Sequence, residues 1–214
     1  PEAKFIEGSI SDKRVVEKAC EKGIDLAMHF AAFIEVGESV VDPAKYYKNN
    51  ISQSLAFFDL LRNFGVDKSV FSSTAAVYGE PEFVPLTESA SLAPLNPYGW
   101  SKRMVEKILE DFDSAYGFRS VRLRYFNAGG AFGQYGEGHK PESHLIPRIL
   151  DSVLFNKQLF VFGDDYKTRD GSCIRDYIHV RDLAAAHLLA ANYLINGGKS
   201  DVFNLGTGTG FTVL

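Results

Sequence analysis

A doubly wound α/β fold built on a parallel sheet is what this sequence predicts, on three observations. Short apolar runs alternate with stretches of helical periodicity along most of the chain. One run, "IDLAMHFAA" (24–32), is apolar without polar alternation, as a strand buried on both faces is. Helix starts and stops are written in residue type: Asp12 and Asn96-Pro97 at starts, Gly23 and Gly65 at stops.

Taken in order, "AKFIEGSI" (3–10) reads as a strand. Asp12 caps a short helix carrying Val15, Val16, Ala19 and Cys20 and ending at Gly23. Residues 24–32 form the next strand. After Pro43 one long helix is expected to run to Gly65, with Ile51, Leu55, Phe58 and Leu61 on a stripe. "SVFSSTAAVYG" (69–79) is a strand and its exit. The helix after Asn96-Pro97 carries Val105, Ile108, Leu109 and Phe112 at helical spacing. "SVRLRYFNAGG" (120–130) is another strand. Beyond it the loops turn polar and glycine-containing around a helix (144–155), a strand (159–163) and a last strand, "VFNLG" (202–206). This gives a first region, 1–130, and a second, 131–214, which contributes one further strand to the sheet. "GTGTG" (206–210) lacks the GxGxxG spacing and reads as a strand exit rather than a phosphate loop.

Composition narrows the function. The chain has 214 residues, 45% hydrophobic and 23% charged, with net charge −4. No basic face points to nucleic acid. No apolar stretch reaches the roughly 20 residues of a membrane span, and no secretory signal is visible. Two cysteines, Cys20 and Cys173, make no disulfide framework, and a reduced cytoplasm fits them. No His/Cys/Asp spacing suggests a metal, and His29, His179 and His187 lie in apolar patterns expected of packed histidines.

The chemistry-bearing stretch is "NPYGWSK" (96–102). Asn96 and Pro97 start a helix, which puts Tyr98 and Lys102 one turn apart on the same side. A buried tyrosine with a snorkelling lysine is the bland alternative. A phenol acting as a base near neutral pH needs its pKa of about 10 lowered by roughly 3 units, about 4 kcal/mol. An ammonium, the helix N-terminus and a cationic nicotinamide ring all push that way. A hydroxyl partner must then come from a neighbouring strand end, and Ser72, Ser73 and Thr74 supply it.

In these features the sequence resembles the extended short-chain dehydrogenase/reductase family, most closely its branch that inverts C4 of UDP-hexoses. The resemblance rests on "HFAAFIEVGES" (29–39), "YYKNN" (46–50), "FSSTAAVYGE" (71–80), "NPYGWSK" (96–102), "LRYFNAGGA" (123–131) and "RDYIHVRDLA" (175–184). It implies a Rossmann-type NAD-binding region followed by part of a nucleotide-sugar-binding region. It implies interconversion of UDP-glucose and UDP-galactose through a 4-keto sugar, in galactose metabolism. By the same resemblance Thr74 would bond the sugar 4-hydroxyl, Tyr98 would be the acid/base, and Lys102 would hold the nicotinamide ribose. Phe30, Ala31, Ala32, Asn49 and Ser72 would line the dinucleotide, with Ile10 beside the adenine and Phe126 near the nicotinamide. Asn127 and Arg175 would grip the diphosphate, a task suited to a planar, permanently charged guanidinium. Phe160 and Phe162 would border the uracil, with Leu145 a further contact. On sequence alone Phe126 and Phe162 fit a core equally well, and Arg175 with Asp176 fits a surface ion pair.

Several positions depart from the pattern. Ser9 stands where an Asp often meets the adenine, Ile34 where some members carry a Lys near the cofactor phosphates, and His144 where an Asn contacts substrate. Thr74 stands for a Ser. The glycine-rich loop that opens the family is not in this sequence, which begins without Met and reads as an internal stretch of a longer protein starting near the third strand. Such a polypeptide by itself is expected neither to fold normally nor to hold NAD. A nucleotide-sugar 4,6-dehydratase would need acid/base groups where Ala75 and Ala76 stand. A 4-epimerase of UDP-glucuronate or UDP-xylose, and a non-catalytic NAD(P)-sensing scaffold, stay open. A homodimer through the helices at 43–64 and 97–116 is the family's usual assembly, and "LAFFDLL" (55–61) has apolar surface to spare for it.

Overall fold

The computed structural model describes residues 3–139, 142 and 144–214. It divides into two compact units, Pro1–Arg124 with His187–Asn204, and Tyr125–Ala186 with Leu205–Leu214. The segment 187–204 thus returns to the first unit and brings it the end of one helix and a strand.

The first unit is a four-stranded sheet in the order β1 (Ala27–His29), β2 (Lys68–Thr74), β3 (Arg119–Tyr125), β6 (Asp201–Leu205). β1 and β2 run parallel, with Met28 opposite Val70. The inner strands β2 and β3 are buried along nearly their whole length, and the arginines that alternate with Val121 and Leu123 in β3 are buried against Glu110 and Glu106. Helix α1 (Lys13–Cys20) starts where expected: the Asp12 carboxylate accepts from the Arg14 N–H at 2.9 Å. Helix α2 (Val36–Val41) and the short α3 (Pro43–Tyr46) follow β1. Helix α5 (Pro97–Tyr116) is capped by Asn96, whose side chain accepts from the Gly99 N–H at 2.9 Å. It stops at Gly117, in the left-handed conformation that a glycine tolerates. Val16, Phe58, Leu61, Val66, Phe71, Val105, Leu109 and Phe118 form one buried cluster between sheet and helices.

Three expectations are corrected in detail. Residues 3–10 form no strand, and Phe5 is exposed. A strand exists only by pairing, and the described residues offer this segment no ladder. The β-paired part of 24–32 is limited to Ala27–His29 for the same reason. The helix after Pro43 is not one α-helix: a π-helical turn, Tyr47–Ser52, separates α3 from α4 (Gln53–Asn63). The wider turn rotates the stripe, so Phe58 and Leu61 are buried while Leu55 is exposed.

The second unit holds a three-stranded sheet, β4 (Asn127–Gly129), β5 (Ile174–His179) and β7 (Gly210–Thr212). β4 and β5 are parallel, and β5 and β7 antiparallel. Helix α6 (Leu145–Phe155) precedes β5, and α7 (Val180–Ile195) leaves directly from it into the first unit. The strand expected at 159–163 is absent. Phe160 and Phe162 sit in irregular chain, both exposed, without a neighbouring strand among the described residues. "GTGTG" is a strand exit as expected, and its holder is Asp176. One carboxylate oxygen accepts from the Thr207 N–H and hydroxyl, the other from the Gly208 N–H, each at 2.8 Å. No helix of described residues is long and apolar enough to cross a membrane.

Candidate active site

In the first unit, the carboxyl end of β2 and the first turn of α5 meet. Thr74 ends β2 and caps a 3-10 turn, Ala75–Val77, its hydroxyl accepting from the Ala76 N–H at 3.1 Å. Gly99 makes the meeting close. A Cβ there would lie 2.8 Å from the Ala76 carbonyl oxygen, so α5 rests directly on that turn. Tyr98, one residue earlier, thereby comes within hydrogen-bonding reach of the Thr74 hydroxyl. One turn along the helix, Lys102 is 3% exposed. Its ammonium donates to the Ser72 carbonyl at 2.8 Å and lies 5.0 Å from the Phe71 ring centroid. Ser72, Thr74, Tyr98 and Lys102 are therefore brought together as the spacing suggested.

Burial raises the Tyr98 pKa, and the hydrogen bond from Thr74 offsets only part of the rise. The Lys102 ammonium, engaged with a backbone carbonyl, does not drive the phenol downward. Burial instead pushes Lys102 itself down to about 8. Desolvation is the largest influence on both groups.

That burial has a consequence for stability. Lys102 titrates at about 8 in the folded chain, against an unfolded value near 10.5. The unfolded state holds the proton more tightly, so this group destabilises the fold in full below pH 8. The penalty fades as pH rises from 8 to 10.5, where both states lose the proton. Lys102→Met should raise the melting temperature at pH 7, and the gain should shrink in melts at pH 10. A gain that is equal at both pH values contradicts the burial account.

The loop after β1 supplies an apolar floor: Phe30, Phe33 and Ile34 are exposed, Ala31 is exposed, and Ala32 is partly so. Phe30 packs on the His187 ring, centroids 4.8 Å apart. The loop is fastened by Asn50, a residue the sequence reading passed over. Its side-chain oxygen accepts from the Phe33 N–H at 2.9 Å, and its amide donates to the Phe33 carbonyl at 3.0 Å and the Ser101 hydroxyl at 2.9 Å. Ser101 in turn donates to the Tyr98 carbonyl at 2.7 Å. Asn49 donates to the Asn50 side chain at 3.0 Å, and both sit on the π-helical turn. The adjacent asparagine pair was the available signal. Ile10 is partly buried beside α1, and Ser9 bonds Gln53 and Ser11.

A second unnoticed network stands behind the strand end. Glu106 is fully buried on α5 and receives both arms of the Arg124 guanidinium, at 2.9 and 2.8 Å. It also accepts from the Ser73 hydroxyl at 2.6 Å. Arg124 donates to the Tyr78 hydroxyl at 2.8 Å, and Tyr78 donates to Asn204 at 2.6 Å. This fixes Ser73 between Ser72 and Thr74.

Of the histidines, His29 is packed, bonded to Ser54 at 2.8 Å and driven down to about 3 by burial and then by the Lys102 charge. His187 is buried. His179 is exposed at the end of β5, its ring lying against Gly130 and accepting from the Arg181 N–H at 3.1 Å.

The second unit carries the remaining residues. Phe126 precedes β4, its N–H donating to the Leu205 carbonyl at 3.0 Å. Asn127 pairs in register with Tyr177 and donates to the Asp176 carbonyl at 3.0 Å. Arg175 is exposed on β5, donating to the adjacent Ile174 carbonyl at 3.1 Å. It does not pair with Asp176, whose carboxylate is committed to the 207–208 turn. His144 stands at the N-cap of α6 and Leu145 is its first residue.

The residues of the first unit fit a nicotinamide dinucleotide. They present an exposed apolar loop at the end of a parallel strand, and beside it two hydroxyls and an ammonium as donors. Comparison with known proteins agrees. The model of the NAD dependent epimerase/dehydratase family matches residues 1–206. A UDP-glucose 4-epimerase of Rhizobium leguminosarum bv. trifolii is 51% identical over 211 residues, 97% of this chain and 64% of the relative. One from Lactobacillus helveticus is 47% identical, covering 100% of this chain and 66% of its own. The crystal structure of UDP-glucose 4-epimerase from Brucella ovis in complex with NAD superposes with TM-score 0.94 at 46% identity, over 98% of this chain and 66% of that one. The chain thus spans just under two thirds of the length of these relatives. With a family model covering nearly all of it and relatives at half identity, this chain belongs to the NAD dependent epimerase/dehydratase family.

Proposed function

We propose that the protein inverts C4 of a UDP-hexose, interconverting UDP-glucose and UDP-galactose with bound NAD, and that Tyr98 moves the proton. The observation that carries this is the Thr74–Tyr98 contact with Lys102 one turn behind it. NAD supplies a hydride acceptor and, in its oxidised form, a positive charge. Lys102 would hold the nicotinamide ribose with its ammonium, and Asn49, Ser72 and the loop Phe30–Ile34 would seat the rest. Ile10 would lie by the adenine and Phe126 by the nicotinamide. Thr74 orients the sugar 4-hydroxyl toward the Tyr98 oxygen. Tyr98 takes the hydroxyl proton as C4 becomes a ketone, then returns it after the sugar has turned its other face. The rise in Tyr98 pKa caused by burial is what a positive charge arriving beside the ring would reverse.

Turning the sugar requires that the diphosphate stay fixed. Asn127 and Arg175 would hold it, the exposed guanidinium of Arg175 being available for an anion. His144, Leu145, Phe160 and Phe162 would border sugar and uracil. Ala75 and Ala76 occupy the 3-10 turn after Thr74 and carry no proton donor. That disfavours dehydration, which needs a second acid/base pair. The protein is expected to act in the cytoplasm, in galactose metabolism, as a homodimer through α3–α4 and α5. The proposal is tested by incubating the complete gene product with UDP-galactose and no added cofactor. UDP-glucose should form. A 4-keto-6-deoxy product, or no reaction by protein that carries NAD, overturns it.

A further inference from the structure

We propose that the loop before α6 is a zinc site, with Glu137, His139 and His144 as ligands and Glu142 as the fourth donor. The four residues follow the pattern E-x-H-x-x-E-x-H over eight positions. No metal is expected from the sequence, yet His139 and His144 stand as H-x4-H, a spacing that zinc sites use.

One donor atom from each of Glu137, His139 and His144 lies within 4.8 Å of the others. The His139 Nδ1 is 3.5 Å from one Glu137 oxygen, and the His144 Nδ1 is 4.0 Å from the other. A Glu142 oxygen is 2.8 Å from the same His144 Nδ1. Zinc bonds of about 2.0–2.1 Å to nitrogen and oxygen put neighbouring donors of a tetrahedron about 3.3 Å apart. The His144 Nδ1 distances to Glu137 Oε2 and to the Glu142 oxygen, 4.0 and 2.8 Å, bracket that edge, so small side-chain rotations suffice. The two imidazoles stand at 84° with centroids 5.3 Å apart, so each can turn its Nδ1 to a common centre.

The carboxylates are also held in place. The Gly138 and His139 N–H groups donate to Glu137 Oε1 at 2.9 and 3.0 Å, leaving Oε2 for the ion. The His144 N–H donates to Glu142 Oε1 at 2.7 Å. Two imidazoles with two carboxylates favour zinc over magnesium or calcium, which prefer all-oxygen sets. All four ligands belong to the second unit, and His144 is the N-cap of α6. The ion would tie the loop to the start of that helix.

The test uses the complete, tag-free gene product, stripped with a chelator and titrated with Co²⁺ and then Zn²⁺. One equivalent of Co²⁺ should bind with a visible tetrahedral absorption, and Zn²⁺ should displace it and raise the melting temperature. His139→Gln and Glu137→Gln should each weaken binding at least about tenfold while leaving the metal-free melting temperature unchanged. Cys20→Ser and Cys173→Ser should leave binding as it is. The absence of one-equivalent saturation, binding unchanged in both Gln variants, or loss of binding in a cysteine variant would overturn the proposal. None of these readouts depends on epimerase activity.

Discussion

Tyr98→Phe should lower turnover of UDP-galactose by about a thousandfold or more while leaving bound NAD and melting temperature within error of the original. The substitution removes one oxygen. What that oxygen touches among the described groups is the Thr74 hydroxyl, and its burial already raises the pKa of the phenol, so the fold gains nothing by keeping it ionisable. A group held partly out of solvent at the price of its own acidity is what the proposed proton transfer asks for. Measured kcat for the two proteins, with nicotinamide content determined on each, gives the answer. A variant that turns over within tenfold of the original removes Tyr98 from the proton path.

The largest effect on stability should come from Glu106→Ala. Glu106 is fully buried and Arg124 is 3% exposed. Removing the carboxylate leaves a guanidinium whose pKa the pair had raised, now buried without its counter-charge. Breaking a buried pair from one side costs about 3–5 kcal/mol. Ser73 loses its acceptor in the same change. Glu106→Ala should therefore lower denaturant-measured stability by about that amount. Removing both partners, Glu106→Met with Arg124→Met, should recover most of it, because no charge is then stranded. A single substitution costing under about 1 kcal/mol would mean that water reaches Arg124.

Much of this was legible before any coordinates. Asp12 and Asn96-Pro97 are capping signals that act within three residues, and both helices begin where those signals stand. Tyr98 and Lys102 share a helix face by periodicity alone, and Thr74 ends its strand as the last of the hydroxyl residues that follow Val70 and Phe71. What failed depended on distant partners. Residues 3–10 and 159–163 have strand-like composition, but a ladder needs a neighbour that composition does not supply. The π-helical turn at 47–52 arises from tertiary fit and has no local code. Asn50, Ser101, Glu106 and Arg124 look like ordinary polar residues of helix and strand, and their roles appear only once elements 18 to 51 residues apart are packed together. Burial raises the Tyr98 pKa, and the sequence shows which charges are near but not how dry the corner is.

The central claim, that Tyr98 takes the sugar's proton as bound NAD is reduced, is tested most directly by following absorbance at about 340 nm in a single turnover. The complete gene product is mixed with UDP-glucose, and its Tyr98→Phe variant is run beside it. The account predicts a rise in the original protein and a rise slowed by at least about a thousandfold in the variant. Equal rates in the two, or a protein that holds no dinucleotide at all, would contradict it.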